Sequence, residues 1–317
     1  MKNIKRFIIP IFIPHAGCPH RCLFCDQLAV TAGGDGKITR QRIVETVQSY
    51  TETRPDWDRD IELAYFGGSF TSLPMKRQLD LLKIGGELID KGLIDALRIS
   101  TRPDAISEKI LGFLSEYGVR TIELGIQSMS DHVLELSQRG HTTDDARNAA
   151  RLIIESGFDL IAQIMPGLPG DTEETIIKTA EEVVKLAPDG VRIYPAVILK
   201  DTEMERLYLE GTYEPLSLDE TVRIAGLIVR MFQKHNIPVI RIDPVLVILI
   251  GRGQILVQPN RPLLRFSHLI PGSSNNKREG YPIHLIPLNP PHQVNTREDI
   301  TPLVVSTHLE AAIVILE

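Results

Sequence analysis

All three cysteines of the chain fall within eight consecutive positions, as Cys18, Cys22 and Cys25 in the spacing C-x3-C-x2-C. A lone cysteine is usually a small apolar core residue, but three thiols this close together are better explained as ligands of one metal centre. The residues between them are mostly polar or turn-forming, which suits a ligand loop better than a core strand. The spacing therefore predicts a metal site near the amino terminus.

The number of thiols limits which metal centre this site could hold. Thiolates are soft ligands that suit zinc or iron–sulfur clusters. Structural zinc normally takes four protein ligands, so a zinc site would need His15 or His20 as the fourth. A four-iron cluster held by three cysteines keeps one iron open for a non-protein ligand, whereas most iron–sulfur electron carriers use four cysteines. The ligand count favours iron–sulfur, and both alternatives stay open on these residues alone.

The bulk composition is that of an ordinary globular protein. The chain has 317 residues, of which 43% are hydrophobic and 24% charged, and its formal net charge is −6. That length allows one barrel-sized domain with an appendage, or two domains. The acidic balance gives no global signature of nucleic-acid binding, although a local basic patch would be compatible with it. Cysteines confined to one cluster argue against a secreted disulfide framework and predict a cytoplasmic protein.

The amino terminus offers one competing interpretation. Basic residues precede an apolar stretch that ends in Ala-Gly-Cys at Cys18, which resembles the cleavage site of a bacterial lipoprotein. The apolar stretch, residues 7–13, is short for a signal core and is interrupted by Pro10. This interpretation would also leave the other two cysteines without a role. Because the chain has no apolar run of about 18 residues, no membrane-spanning segment is expected.

The elements around the cysteines alternate between strand and helix. Apolar, β-branched runs bounded by turn residues predict strands at 7–13, 61–66, 96–100, 121–125, 158–165 and 190–194. Helices are predicted between them, three of which begin at the capping residues Thr39, Thr143 and Thr172. Six alternations of this kind predict parallel strands with crossover helices.

Such a sheet could close as a partial or complete (β/α) barrel or stay open as a doubly wound sheet. In both cases chemistry takes place at the carboxyl ends of the strands. Polar or glycine-containing segments follow five successive strands, beginning at Cys18, Gly67, Thr101, Gln127 and Pro166. Each alone is ordinary turn chemistry, but together they predict one functional face.

Six segments of the chain carry a resemblance to a known superfamily. CPHRCLFC, with aromatic Phe24 directly before the last cysteine, resembles the signature of radical S-adenosylmethionine (SAM) enzymes. YFGGSFT at 65–71, STRPD at 100–104, ELGIQS at 123–128, QRGHT at 138–142 and IMPGLPGDT at 164–172 continue the match. The last four resemble the subgroup of the Elongator catalytic subunit and oxygen-independent coproporphyrinogen oxidase-like proteins. Residues 194–220 resemble the Elongator-like branch more closely, and the resemblance covers about residues 7–242.

The resemblance implies a fold, two cofactors and a reaction. The fold would be α/β, a partial (β/α)6 TIM-type barrel of parallel strands. Cys18, Cys22 and Cys25 would bind a [4Fe–4S] cluster whose open iron binds SAM. One electron would then cleave the sulfonium to methionine and a 5'-deoxyadenosyl radical, which takes hydrogen from the substrate. The reductant is expected to be a protein such as flavodoxin or ferredoxin, and the family association suggests tRNA as the substrate.

The same resemblance assigns a cofactor-binding site. Gly67 and Gly68 would let the backbone approach the methionyl group, and Phe24 belongs to the same site. Related enzymes contact the cofactor's ribose and carboxylate at the positions of Gln127, Arg139 and Gln163. Any one of these polar side chains is otherwise an ordinary surface residue.

Two departures separate the chain from its relatives. Coproporphyrinogen oxidase-like proteins carry a Glu at the position of Ser100 and an Asp at that of Gln163. Both differences argue against a porphyrin as the substrate. The Elongator catalytic subunit has an acetyltransferase domain after its radical domain, and this chain is expected to hold none.

The chain changes in character after Ile242. Residues 1–242 are predicted to form the core barrel, and residues 243–317 a proline-rich extension of uncertain structure. Proline confines strands in such a segment to sheet edges. Two interpretations stay open: short β segments with loops, or an altered reading frame near residue 243, which could leave a chain that binds the cofactor without turnover. The rival from another class is a zinc-stabilised binding protein.

Overall fold

The computed structural model describes residues 6–13, 18, 20–25, 38–52, 60–199 and 201–242. The described residues all belong to one compact unit. The predicted extension, residues 243–317, lies outside the described residues, as does His15. Within the described part of the chain, no helix combines the length and apolar character needed to cross a bilayer.

Within these described ranges, seven parallel strands form a single sheet in which each strand pairs with its neighbours in chain order. The strands are β1 (Arg6–Phe12), β2 (Asp60–Phe66), β3 (Ala96–Thr101), β4 (Val119–Gln127), β5 (Asp159–Ile164), β6 (Gly190–Ile193) and β7 (Val239–Ile242). The helices are α1 (Arg40–Glu52), α2 (Met75–Asp90), α3 (Glu108–Ser115), α4 (Asp131–Leu136), α5 (Thr143–Glu155), α6 (Glu173–Leu186), α7 (Glu203–Leu209) and α8 (Leu218–Lys234). This confirms the α/β class, with a seventh strand beyond the six that the sequence predicts.

Contacts between distant strands show that the sheet is curled. Arg6 of β1 forms an ion pair with Asp159 of β5 at 2.7 Å, although a flat sheet would separate these strands by four spacings, about 19 Å. The guanidinium of Arg192 in β6 lies 5.2 Å from the ring centre of Phe66 in β2. The sheet is therefore a half-barrel, as the partial TIM-type barrel requires, and an open doubly wound sheet is wrong.

The two faces of the curled sheet differ in chemistry. The outer face is apolar and packs under the helices, with fully buried residues such as Leu63, Leu97, Ile122 and Leu160. The inner face carries four buried charged residues that we call the lumenal charge ladder: Glu62, Arg98, Glu123 and Arg192. Parallel strands buried on both faces are usually apolar on both, so the charges on the inner face must compensate one another.

The ladder achieves this compensation by direct ion pairs. Arg98 contacts a carboxylate oxygen of Glu62 at 2.6 Å and one of Glu123 at 2.8 Å. Arg192 contacts the same oxygen of Glu123 at 3.1 Å. Burial acts to raise the pKa of Glu62, but the charge of Arg98 and hydrogen bonds from Thr121 and the arginines outweigh it and lower that pKa.

One predicted helix cap is wrong and two agree with the structure. Thr39 and Thr172 accept backbone hydrogen bonds at the starts of α1 and α6, as predicted. Helix α5 is capped by Thr142 and not by Thr143. Thr142 is extended, and the carboxylate of Asp145 accepts its backbone N–H at 2.8 Å, which completes a capping box. Thr142 is the cap because the carboxylate of Asp145, three residues later, completes the capping box with it.

Candidate metal centre

The cysteine loop lies at the carboxyl end of the first strand of the half-barrel. Ile13 continues the pairing of β1 with β2 by donating its backbone N–H to Phe66 at 2.6 Å. Cys22 is buried, Cys18 and Cys25 are half-buried, and none of the three forms a disulfide bond. A turn closed by the Cys25 N–H and the Cys22 carbonyl oxygen, 3.1 Å apart, connects the last two. The strand thus positions three thiols at the carboxyl end of the sheet, where chemistry is expected.

Two backbone hydrogen bonds hold this loop in place. The N–H of Leu23 donates to the carbonyl of Ser137, directly after α4, at 3.2 Å. The N–H of Met204 in α7 donates to the carbonyl of Leu23 at 3.1 Å. Leu23, Met204 and Tyr213 also form a small apolar cluster, apart from the main core. The loop between Cys22 and Cys25 is therefore fixed on both sides by elements far away in sequence.

A pair of buried arginines, Arg102 and Arg139, lies against the thiol of Cys22. Arg139 Nη1 is 3.3 Å from Cys22 Sγ and Arg102 Nη1 is 3.9 Å from it. Arg139 Nη2 donates to the carbonyl of Gly125 at 2.7 Å, and the Arg139 guanidinium lies 5.9 Å from the ring centre of Phe24. Burial, followed by the charge of Arg102, lowers the pKa of Arg139, and Cys22 only partly offsets this. Two cationic side chains therefore face this one sulfur.

Three of the predicted polar residues converge around Gly125. A side chain at Gly125 would come within 2.8 Å of Gln127 Nε2 and 3.3 Å of Arg139 Nη2. Gln163 is the direct partner of Gly125 on the neighbouring strand. Gln127 has a φ of 68° at a register irregularity of β4, a conformation that non-glycine residues rarely adopt. The structure therefore brings Gln127, Arg139 and Gln163 together around Gly125.

The two predicted glycines form the turn after β2. Gly67 has a φ of +100°, and a side chain there would meet the carbonyl oxygen of Ile13 at 2.7 Å. Only glycine fits this close approach, and half-buried Gly68 follows it in the same turn. Next in the chain, Ser69 Oγ lies 3.1 Å from Thr101 Oγ1 and accepts from the Arg102 N–H at 3.4 Å. The ends of β1, β2 and β3 are thereby tied together beside the cysteine loop.

Buried polar atoms without a protein hydrogen-bond partner are concentrated at this edge. In the part of the chain that the structure describes, they include Gln127 Oε1, Ser137 Oγ, Arg139 Nε and His141 Nδ1. Buried polar groups are normally hydrogen-bonded, so their concentration next to Cys22 fits a surface that binds a polar ligand. Burial, together with the charges of Arg139 and Arg102, lowers the pKa of His141 to about 4. Its imidazole is therefore neutral at pH 7.

The described residues give no support to a single-ion zinc site. Among residues 18, 20–25 and the rest of the described chain, no three His, Cys, Asp or Glu side chains gather around one metal ion. His20 instead packs its ring on Gly140 and places Nε2 3.8 Å from Asp104 Oδ2. A four-iron cluster takes each thiolate on a different iron, so its ligands need not converge on one point. The donor set of three thiols beside buried cations fits such a cluster.

Some residues of this site are absent from those that the sequence predicts. Arg102, Ser69 and His141 contact the cysteine loop or its neighbours, and all three are buried. The signal for them is present, since STRPD, YFGGSFT and QRGHT each resemble a family motif. Their burial has no local signal, because arginine and serine are mostly exposed in proteins.

Comparisons with known proteins identify the family of the chain. A family model described as Radical SAM superfamily matches residues 12–183, and a Radical SAM C-terminal domain model matches residues 188–259. The tRNA uridine(34) acetyltransferase of Methanocaldococcus infernus is 28% identical over 258 residues, covering 68% of this chain and 48% of that protein. The chain therefore spans about half the length of that curated relative.

Two further relatives cover different shares of their own length. An uncharacterised protein of Methanocaldococcus jannaschii is 28% identical over 248 residues, covering 75% of this chain and 74% of that protein. The solved structure of the Methanocaldococcus infernus Elp3 protein, lacking its residues 1–46, matches with a TM-score of 0.57 at 22% identity. It covers 71% of this chain and 54% of that chain, and at this identity it shows the fold alone.

Proposed function

The chain belongs to the radical SAM superfamily, and on that premise we propose that Cys18, Cys22 and Cys25 bind the [4Fe–4S] cluster of an Elongator-like enzyme. The observation that carries this proposal is the burial of Cys22 against two arginines at the carboxyl end of β1. The chain is an enzyme whose cofactors are a [4Fe–4S] cluster and SAM, as in the rest of the superfamily.

The protein's own contribution is to bind and orient these groups. When bound, the two cofactors would supply one-electron reductive cleavage of a sulfonium and, through it, removal of a hydrogen atom from the substrate. Three thiolates of the loop act as metal ligands. The guanidinium of Arg139 places a cation 3.3 Å from Cys22 Sγ and would bind a carboxylate of the ligand, the anion that guanidinium binds best.

The remaining predicted residues would surround SAM. Gly67 and Gly68 present backbone without side chains, so that a ligand can approach the turn after β2. Gln127 offers a buried amide oxygen that accepts a hydroxyl or ammonium proton. Gln163 contributes a second amide on the neighbouring strand, and the Phe24 ring closes the side next to Arg139. Together they would hold SAM out of water at the barrel edge.

The proposed substrate is tRNA. Support comes from relatives that are named tRNA uridine(34) acetyltransferase and Elongator complex protein 3. The electron would come from a reductant protein of the flavodoxin or ferredoxin kind. Acetyl transfer is no part of this proposal, because the match covers only 48% of the acetyltransferase.

Anaerobic reconstitution with iron and sulfide tests the cofactor assignment. After addition of dithionite and SAM, we expect brown cluster absorbance together with 5'-deoxyadenosine and methionine. The matched control replaces Cys18, Cys22 and Cys25 by alanine, which leaves no cysteine in the chain. Zinc near one equivalent without sulfide, or equal product from the control, would overturn the proposal.

A second experiment tests the substrate. The reconstituted enzyme is incubated with SAM, dithionite and either purified tRNA, ribosomal RNA or small metabolites. We expect tRNA alone to raise the rate of 5'-deoxyadenosine formation above the uncoupled rate. A rise only with the metabolite fraction would contradict a tRNA substrate and leave the cofactor assignment intact.

A further inference from the structure

Arg102 is the second of the two buried cations at the metal centre and has no assigned role. The residue is 4% exposed, and its Nη1 lies 3.9 Å from Cys22 Sγ. Arg139 contacts the same sulfur from another direction at 3.3 Å. One thiol is therefore faced by two guanidinium groups.

The orientation of Arg102 is set by the protein independently of the sulfur. The carboxylate of Asp104 accepts from its Nε at 2.9 Å and from its Nη2 at 3.2 Å. Nη2 also donates to the backbone carbonyl of Arg139, and the backbone N–H of Arg102 donates to Ser69 Oγ. Because the guanidinium is a rigid planar fork, fixing Nε and Nη2 directs Nη1 at Cys22. The contact is built into the loop after β3.

The ion pair of Arg102 with Asp104 acts as an oriented dipole. Its positive end faces Cys22, and its negative end faces His20, whose Nε2 lies 3.8 Å from Asp104 Oδ2. Hydrogen bonds to the sulfurs, net charge and solvent exposure set the reduction potentials of iron–sulfur clusters. A positive group at a ligand sulfur stabilises the state with one more electron, and burial strengthens the effect because the local dielectric is low.

We propose that Arg102 is a positioning residue that raises the reduction potential of the [4Fe–4S] cluster through the Cys22 thiolate. The inference rests on the proposed function, since it requires Cys22 to be a cluster ligand. It gives Arg102 a different task from Arg139, which also faces Gln127 and Phe24. Electron uptake is eased by Arg102 before any substrate is present.

The test is a mediated redox titration of the reconstituted protein without SAM, with dithionite as the electron source. The reduced cluster is followed by electron paramagnetic resonance. In Arg102→Gln, we expect the ratio of reduced to oxidised cluster at the wild-type midpoint to fall about tenfold, which is 59 mV for a one-electron couple. The unpaired Asp104 carboxylate adds to this fall. Arg102→Lys keeps the charge without the fork and should lie between the two.

The matched control is Arg223→Gln on α8, which removes the same charge from an exposed ion pair with Glu173 of α6. We expect its midpoint to equal that of the wild type. A wild-type midpoint in a fully loaded Arg102→Gln protein would overturn the inference. Failure of both Arg102 variants to load iron would also overturn it, because a residue that only sets the potential is dispensable for assembly.

The outcomes separate this inference from the proposed function. If the wild type itself forms no cluster or no 5'-deoxyadenosine, the proposed function fails. If the wild type is active and the Arg102→Gln midpoint is unchanged, only the role of Arg102 fails. The potential is measured without turnover, so a defect in substrate binding cannot imitate the expected shift.

Discussion

Buried arginines occupy two regions of this molecule, and their partners differ. In the lumenal charge ladder, Arg98 contacts the carboxylates of Glu62 and Glu123, which are themselves buried. At the carboxyl edge, Arg139 contacts a thiol, a backbone carbonyl and an aromatic ring. The first region compensates each charge within the protein, and the second gathers cationic charge at a site of partly unsatisfied polar atoms.

The pKa directions express the same contrast. The surroundings of Glu62 lower its pKa despite burial, so the ladder favours its charged form. Burial and the charge of Arg102 lower the pKa of Arg139, so its surroundings disfavour its cation. A site in which a buried cation is unfavourable is stabilised most when an anionic ligand binds next to that cation. The ladder therefore stabilises the fold. The carboxyl end of the sheet is less stable without a ligand and is suited to binding one.

Replacing one arginine in each region should produce the largest difference. Arg98→Met leaves Glu62 and Glu123 buried without their main counter-charge, and we expect it to lower the free energy of unfolding by about 3–5 kcal/mol. Arg139→Met removes a disfavoured cation together with its hydrogen bonds, and we expect a loss of only about 1 kcal/mol. Urea denaturation of the cofactor-free protein, followed by circular dichroism, measures both.

Arg223→Met serves as the exposed control for this pair. Its ion pair with Glu173 is solvent-exposed, so the change should leave the unfolding midpoint within experimental error. Equal losses for Arg98→Met and Arg139→Met would show that the two regions do not differ energetically.

Much of the fold could be predicted from the sequence because its signals are local. Apolar runs that end in glycine or polar turns identify the first six strands, and capping threonines identify the starts of α1 and α6. The prediction stops short of β7, a four-residue strand that contains Arg241 and stands at the edge of the sheet. A strand so short is defined by its pairing with β6 and not by its own composition.

The site could be predicted only where its residues carry a local signature. The cysteine spacing and the glycine pair have one, and the structure puts both at the same edge. Arg102 and His141 lie in family-like motifs, but their burial has no local signature, because it depends on α4, the loop after β3 and the cysteine loop packing together. Likewise, nothing local distinguishes Arg98 inside the barrel from an exposed arginine such as Arg223.

The two regions should lose their contributions to stability in different pH ranges. The folded pKa of His141 is about 4 and its ordinary value 6.5, so the unfolded chain binds more protons between these values. Stability is therefore complete above about pH 6.5 and is lost as the pH falls toward 4. Between pH 7 and pH 5 this group should cost about 2 kcal/mol. The contribution of Glu62, whose pKa is lowered from 4.5, is lost only in more acidic solution.

His141→Gln isolates this effect, because glutamine can still donate to the Ile126 carbonyl that His141 Nε2 contacts at 3.2 Å. We expect the variant to lose about 2 kcal/mol less than the wild type between pH 7 and pH 5. Parallel unfolding curves for the two proteins over this range would contradict the lowered pKa.

Two glycines on the inner face of the sheet, Gly125 of β4 and Gly190 of β6, should tolerate a methyl group with only a small change in stability. In Gly125→Ala the new carbon meets the flexible ends of Gln127 and Arg139 at 2.8 and 3.3 Å. Those ends can move, so we expect a stability loss below about 1 kcal/mol. We also expect about tenfold weaker SAM binding by equilibrium dialysis, because both side chains are displaced.

Gly190→Ala is the control. In this variant the new carbon meets Ile161 and Ile240 at 3.2 Å, which should lower stability by about 1 kcal/mol and leave SAM binding unchanged. Equal SAM affinity in both variants would mean that Gln127 and Arg139 take no part in binding it. A loss of affinity in Gly125→Ala alone would place the binding surface beside Gln127 and Arg139, at the carboxyl end of the sheet.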